Sequence, residues 1–144
     1  MDKTTTRARV LLADDHAANA ALWRSLLEPD FDVIATVSTG DELARLADIT
    51  SPDVIVTDIC MPGLDGLAAA ERIFRTNPAA RIVFVTVHAD AAMLRRSLAL
   101  GALGYVLKLV AGDELVPAVH AALRGERHVS AFPKQKNVRG RDGD

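Results

Sequence analysis

Five short apolar runs, each followed by a stretch with helical spacing, constrain this chain more than any other feature. The runs are RVLLA (9–13), DVIATV (32–37), DVIVT (53–57), RIVFVT (81–86) and GYVLK (104–108). Four of them are nearly continuous in apolar residues, the pattern of strands covered on both faces in a parallel sheet. The second is more broken and fits a sheet edge. Between the runs lie five apolar stripes: Ala18, Ala21, Leu22, Ser25 and Leu26; Leu43, Leu46 and Ala47; Leu67, Ala70, Ile73 and Phe74; Ala91, Leu94 and Leu98; and Leu115, Val116, Val119, Ala122 and Leu123. Gly101 and Gly125 follow the fourth and fifth stripes as stop signals. Because crossovers between parallel strands are right-handed, this alternation predicts an α/β fold, an open parallel sheet with helices on both faces.

The chain has 144 residues, a length that suits one domain. Apolar residues make up 49% and charged residues 25%, which excludes a mainly disordered chain. A formal charge of −2 argues against a dedicated polyanion binder. Cys60 stands alone, so no intrachain disulfide framework forms. The opening MDKTTTRARV lacks a signal-peptide core, and no apolar run approaches the roughly 20 residues of a membrane helix. A soluble, cytoplasmic protein with no membrane contact is expected. Residues 1–8 are expected to be disordered, 9–126 to form the domain, and 127–144 to be a flexible tail or linker. That tail carries Lys134, Lys136, Arg139 and Arg141, which alone do not make a nucleic-acid site.

The chemistry gathers at strand ends. In an open α/β sheet, ligands bind outside the carboxyl ends of the strands. The first strand runs into Asp14 and Asp15, and the third into Asp58. An unpartnered carboxylate at the end of a buried strand is costly. If those strands are neighbours, three carboxylates converge, and two charges about 4 Å apart repel by about 4 kcal/mol at an effective dielectric near 20. Hard oxygen ligands in such a corner favour Mg²⁺, with Mn²⁺ as a substitute. The fourth strand ends in Thr86 and the fifth in Lys108, a point charge suited to a phosphate oxygen. Acids, a metal, a hydroxyl and a lysine suit phosphoryl transfer to a carboxylate, with Asp58 as nucleophile.

With these residues in place, the chain resembles the receiver domain of two-component response regulators. The matching stretches are ADD (13–15), DICMPGLDG (58–66), Thr86 and GYVLK (104–108), spread over roughly the first 125 residues. The resemblance implies a flavodoxin-like (βα)5 doubly wound fold with a five-stranded parallel sheet in the order 2-1-3-4-5. It implies that Asp58 accepts a phosphoryl group from a sensor histidine kinase or a small phosphodonor. It implies a Mg²⁺ cofactor held directly by Asp15, Asp58 and the backbone carbonyl of Cys60, and through water by Asp14. Thr86 would bind the new phosphoryl group, Tyr105 would be the aromatic that turns inward in response, and Lys108 the catalytic lysine. Cys60 and His88 would flank the path of attacking water and tune the phosphoryl lifetime; as passive loop residues they would do nothing. The face of the fourth helix, fifth strand and fifth helix would change its partner affinity and offer a homodimer contact.

GYVLK without a following proline, EL (114–115) and RGERHVS (124–130) are similar to the NarL/FixJ (LuxR-type) subfamily. Its members commonly carry a helix-turn-helix DNA-binding domain after the receiver and regulate transcription. Too few residues follow here for that domain. A truncated member is expected, since the tail resembles an interdomain linker, with any DNA contact made through a domain absent from the chain; a single-domain regulator is the other reading. Two departures stand out: no proline follows the acidic pair, and Val87 stands where the wider family commonly has a small residue.

Rival readings have specific weaknesses. An aspartyl-phosphate phosphatase usually pairs its nucleophile with an Asp two residues later, where Cys60 stands. A dinucleotide-binding domain needs glycines after the first strand, where ADDHAA would repel a phosphate. A passive phosphate sink without output remains open. The expected protein catalyses its own modification and is not a metabolic enzyme.

Overall fold

The structure, a computed structural model, describes residues 6–132. Its elements run β1 (Arg9–Ala13), α1 (Ala17–Leu27), β2 (Asp32–Val37), α2 (Gly40–Thr50), β3 (Val54–Thr57), α3 (Gly66–Thr76), β4 (Ile82–Thr86), α4 (Ala91–Leu100), β5 (Gly104–Leu107), a 3₁₀ turn (Lys108–Val110), α5 (Ala111–Leu123) and β6 (His128–Val129). The sheet order is β2-β1-β3-β4-β5-β6, and every pairing is parallel. The doubly wound order expected from the sequence is present, with the broken second run at the edge and one further strand beyond β5.

Side chains alternate across the sheet because the strand period is two. Leu11, Ala13, Ile55, Phe84, Tyr105 and Leu107 form one core layer with α2 and α3, against which Met93 and Leu94 of α4 also pack. Val10, Leu12, Val54, Val56, Val83, Val85 and Val106 form the other, with α1 and α5. Each fully buried aliphatic side chain contributes about 1.5–3 kcal/mol relative to exposure.

Helix α1 corrects the sequence reading. Its buried residues are Ala20, Trp23 and Leu27, whereas Leu22 is 51% exposed and Ala18, Ala21 and Ser25 face solvent. The apolar spacing alone did not choose between neighbouring faces. Tertiary contacts did: the His16 N–H donates to Asp14 Oδ1 (2.9 Å) and the Trp23 indole to Asp14 Oδ2 (3.0 Å), which rotates Trp23 inward. Helix α4 is the most shallowly seated, with Ser97 its one buried residue.

The domain also reaches further than the expected 9–126. Gly125 adopts φ 73°, turning the chain so that Gly104 pairs with His128 and Tyr105 with Val129. Buried Ser130 locks this strand, since its hydroxyl accepts from the Leu107 N–H (3.1 Å) and donates to Glu114 Oε1 (2.6 Å). At the other end, Arg7 donates to the carbonyls of Glu28 (2.6 Å) and Pro29 (2.9 Å), tying residues expected to be disordered onto the end of α1. Residues 1–5, and the tail lysines and arginines Lys134, Lys136, Arg139 and Arg141, lie outside the described residues.

Candidate functional site

Parallel register brings the acidic residues together. Strand β1 pairs with β3 so that Ala13 lies opposite Thr57, and the next residue on each strand is therefore an aspartate at the same rim. The Asp58 N–H donates to the Ala13 carbonyl (3.0 Å) and the Asp14 N–H to the Val37 carbonyl (3.0 Å), fixing both backbones. Gly66 opens α3 against this point: a Cβ there would overlap the Asp58 carbonyl oxygen, so the loop after β3 can close only with glycine. Gly63, at φ 69°, supplies the left-handed turn before it.

Lys108 stands where β5 gives way to the 3₁₀ turn. Its Nζ lies 2.8 Å from Asp58 Oδ2 and 3.1 Å from Asp14 Oδ2. The side chains of Asp14 and Asp58 are only 1% and 6% exposed, so this ammonium offsets a desolvation that neither carboxylate could sustain alone. Burial, the largest single influence on Lys108, pushes its pKa down, but the hydrogen bonds and charges of Asp58 and then Asp14 outweigh it and hold it above its ordinary value.

Asp15 is exposed on the outer side of the corner. Oxygen and nitrogen atoms of Asp14, Asp15 and His16 all lie within 4.8 Å of one another. Asp14 thus belongs to both groups, flanking the ammonium with Asp58 and standing beside Asp15, and a hard divalent cation fits these oxygen donors. A solvent-open cleft of about 390 Å³, lined in part by Asp14, Asp15, Arg24 and Glu42, leads to it.

The remaining expected residues surround this corner. The Cys60 N–H lies 3.3 Å from Asp58 Oδ1, which sets the Cys60 backbone beside the carboxylate. Its thiol meets His88 Nε2 at 3.0 Å, bridging the loops after β3 and β4. Burial first, then the Asp58 and Asp65 charges, push the thiol pKa up. Thr86 is fully buried, and its hydroxyl accepts from the His88 N–H (3.1 Å). Tyr105 is already turned in and fully buried, with its hydroxyl donating to the His88 carbonyl (2.6 Å). Burial, then the charges of Asp90 and Cys60, push its pKa up to about 12.

Two participants escaped sequence reading. Trp23 lies outside the apolar stripe read for the first helix, yet its indole donates to Asp14. Ser130 counts as tail, yet it grips Leu107, the residue before Lys108. Each acts by reaching a partner distant in the chain.

A family model described as "Response regulator receiver domain" matches residues 10–120. The transcriptional regulatory protein LiaR of Bacillus subtilis (strain 168) is 39% identical over 120 residues, covering 82% of this chain and 57% of LiaR. The chain therefore spans little more than half the length of that curated relative. A LuxR-family two-component response regulator from Aurantimonas sp. SI85-9A1 superposes with a TM-score of 0.82 at 36% identity, covering 87% of this chain and 90% of that one. The RcsB response regulator of Salmonella typhimurium gives 0.79 at 28% identity, over 86% of this chain and 63% of its own. RcsB is also known as two dimers bound to two parallel DNAs. Convergent carboxylates, a lysine bridging them and a match over most of the domain lead to one assignment: the chain belongs to the response regulator receiver domain family, in its LuxR-type (NarL/FixJ) branch.

Proposed function

We propose that this receiver domain is a phosphorylation switch in which Asp58 takes a phosphoryl group from a sensor histidine kinase. The observation that carries this reading is Lys108, held at 2.8 Å from Asp58 Oδ2 and 3.1 Å from Asp14 Oδ2. Asp58 Oδ attacks phosphorus, the P–N bond of the donor phosphohistidine breaks, and the imidazole leaves with the electron pair. Lys108 meets the charge on the transferred oxygens. Asp15, Asp58 and the Cys60 carbonyl would hold Mg²⁺ directly and Asp14 through water; the bound ion supplies charge neutralisation on the phosphoryl oxygens.

The domain catalyses its own phosphorylation and slow hydrolysis and no metabolic turnover. Thr86, released from the His88 N–H, binds the phosphoryl group, and this breaks the hydrogen bond between Thr86 and the loop that Tyr105 also holds. The bridge between Cys60 and His88 stands over the path of water and sets the phosphoryl lifetime. Output passes through the α4–β5–α5 face, where α4 is shallowly seated, to a homodimer. By analogy with the DNA-bound relative, transcription is controlled through a DNA-binding domain outside this chain. The absence of any helix long and apolar enough to cross a membrane, among the described residues, is consistent with a cytoplasmic site of action.

Incubation with a small phosphodonor and Mg²⁺, followed by intact-mass measurement, tests the chemistry. Wild type gains one phosphoryl group and Asp58→Asn gains none. Equal labelling of the two proteins, or no labelling of wild type, sinks the reading.

A further inference from the structure

We propose that Trp23 is a positioning residue for the metal-binding corner: its indole N–H fixes Asp14 so that one lone pair of that carboxylate stays aimed at the cation. This rests on the reading of the corner as a Mg²⁺ site.

The lone pairs of Asp14 can be counted. Oδ2 accepts from the Trp23 indole (3.0 Å) and faces Lys108 Nζ (3.1 Å), which uses both of its lone pairs. Oδ1 accepts from the His16 N–H (2.9 Å), which leaves one. Asp14 can therefore serve the cation from Oδ1 alone, and Asp15, exposed beside it with His16 Nδ1 3.4 Å from its Oδ1, is the carboxylate placed for direct contact. Trp23 is itself 3% exposed, so its N–H has no water to turn to and the bond stays made.

The arrangement matters most when Lys108 moves. An ammonium that follows a new phosphoryl group on Asp58 leaves Asp14 Oδ2 without its cationic partner. At 3% exposure, Asp14 cannot recruit solvent freely in exchange. Trp23 then remains as the donor that keeps this oxygen satisfied and its carboxylate in place. An indole N–H cannot accept or lose a proton in this range, so it performs this role without altering the charge of the corner.

The chain has one tryptophan, so the indole N–H gives a single, unambiguous resonance. In metal-free protein this resonance is expected downfield and slow to exchange with solvent, and Asp14→Ala is expected to move it upfield and speed its exchange. Titration of wild type with Mg²⁺ is expected to shift it. In Trp23→Phe, and in protein carrying a benzothiophene in place of the indole at position 23, Mg²⁺ affinity by calorimetry is expected to fall about tenfold. The benzothiophene protein keeps the ring shape and loses only the donor, so a packing role would leave its affinity unchanged. Unaltered Mg²⁺ affinity in that protein, or an indole resonance indifferent to Asp14→Ala, overturns the proposal. Failure of wild type to take up Mg²⁺ overturns the metal reading itself, while the metal-free comparison still tests the hold of Trp23 on Asp14.

Discussion

The Tyr105 hydroxyl donates to the backbone carbonyl of His88 at 2.6 Å, tying the middle of β5 to the loop after β4. The same His88 is held by Thr86 through its N–H and by Cys60 through its ring. Three contacts from three elements converge on one loop residue beside the phospho-acceptor. Removing the hydroxyl with Tyr105→Phe should cost about 1 kcal/mol in urea unfolding and raise amide exchange at residues 87–90. Unchanged exchange there would mean the loop is held by other contacts.

Tyr105 is the single tyrosine, so its ionisation can be followed by ultraviolet absorbance without assignment. Its folded pKa stands at about 12, above the ordinary value of 10.0. A raised phenol pKa favours the neutral form in the fold, so its stabilising contribution is whole below pH 10.0 and is lost as pH climbs toward about 12. The absorbance midpoint should lie near the upper value in folded protein and near the lower one in denaturant.

Replacing Lys108 by Met leaves Asp14 and Asp58 close together without their ammonium. Metal-free Lys108→Met should lose about 3 kcal/mol of stability, and phosphorylation by a small donor should slow about a hundredfold. The Lys108 pKa is raised above 10.5, so its contribution is complete below that pH and fades as pH rises through the folded value. Denaturant midpoints at alkaline pH should accordingly converge between wild type and the variant.

Mg²⁺ should stabilise the fold by linkage, by about 1.4 kcal/mol when its free concentration is tenfold above Kd. Asp15→Asn, which removes the exposed carboxylate without touching the buried pair, should abolish most of this gain. Thermal unfolding with and without Mg²⁺ measures it, and an equal gain in the variant would place the ion elsewhere.

The last strand has its own handle. Hydrogen bonds from Ser130 and then His128 hold the Glu114 carboxyl below its ordinary value of 4.5. A depressed carboxyl stabilises above pH 4.5, and that contribution is lost as pH falls through the folded value. Acid should therefore loosen β6 first, seen as faster exchange at the Leu107 and Ser130 amides. Ser130→Ala should produce the same loosening at neutral pH.

Much of this was legible in the sequence because burial on both faces leaves a plain mark. The edges of β1 to β5 fall within one residue of the apolar runs, and strand ends carry Asp14, Asp58, Thr86 and Lys108 to one rim by topology alone. What escaped depends on contacts between distant segments. His128–Val129 is too short for a period to show, and it forms because β5 offers an open edge. The inward face of α1 was misjudged because alanines lie all around that helix, and the bond between Trp23 and Asp14 decides the rotation. The hydrogen bond from the Tyr105 hydroxyl to the His88 carbonyl, 17 residues away, is another such contact.

The two-residue alternation across the sheet makes the chemistry a matter of parity. A single residue inserted into β3 would exchange its valines and isoleucine between the two layers and swing Asp58 off the rim; two inserted residues would restore the layering but overshoot the pocket. Evolution and the engineer alike can lengthen the surface loops of this domain, but the stretch Val54–Thr57 has to be counted exactly once.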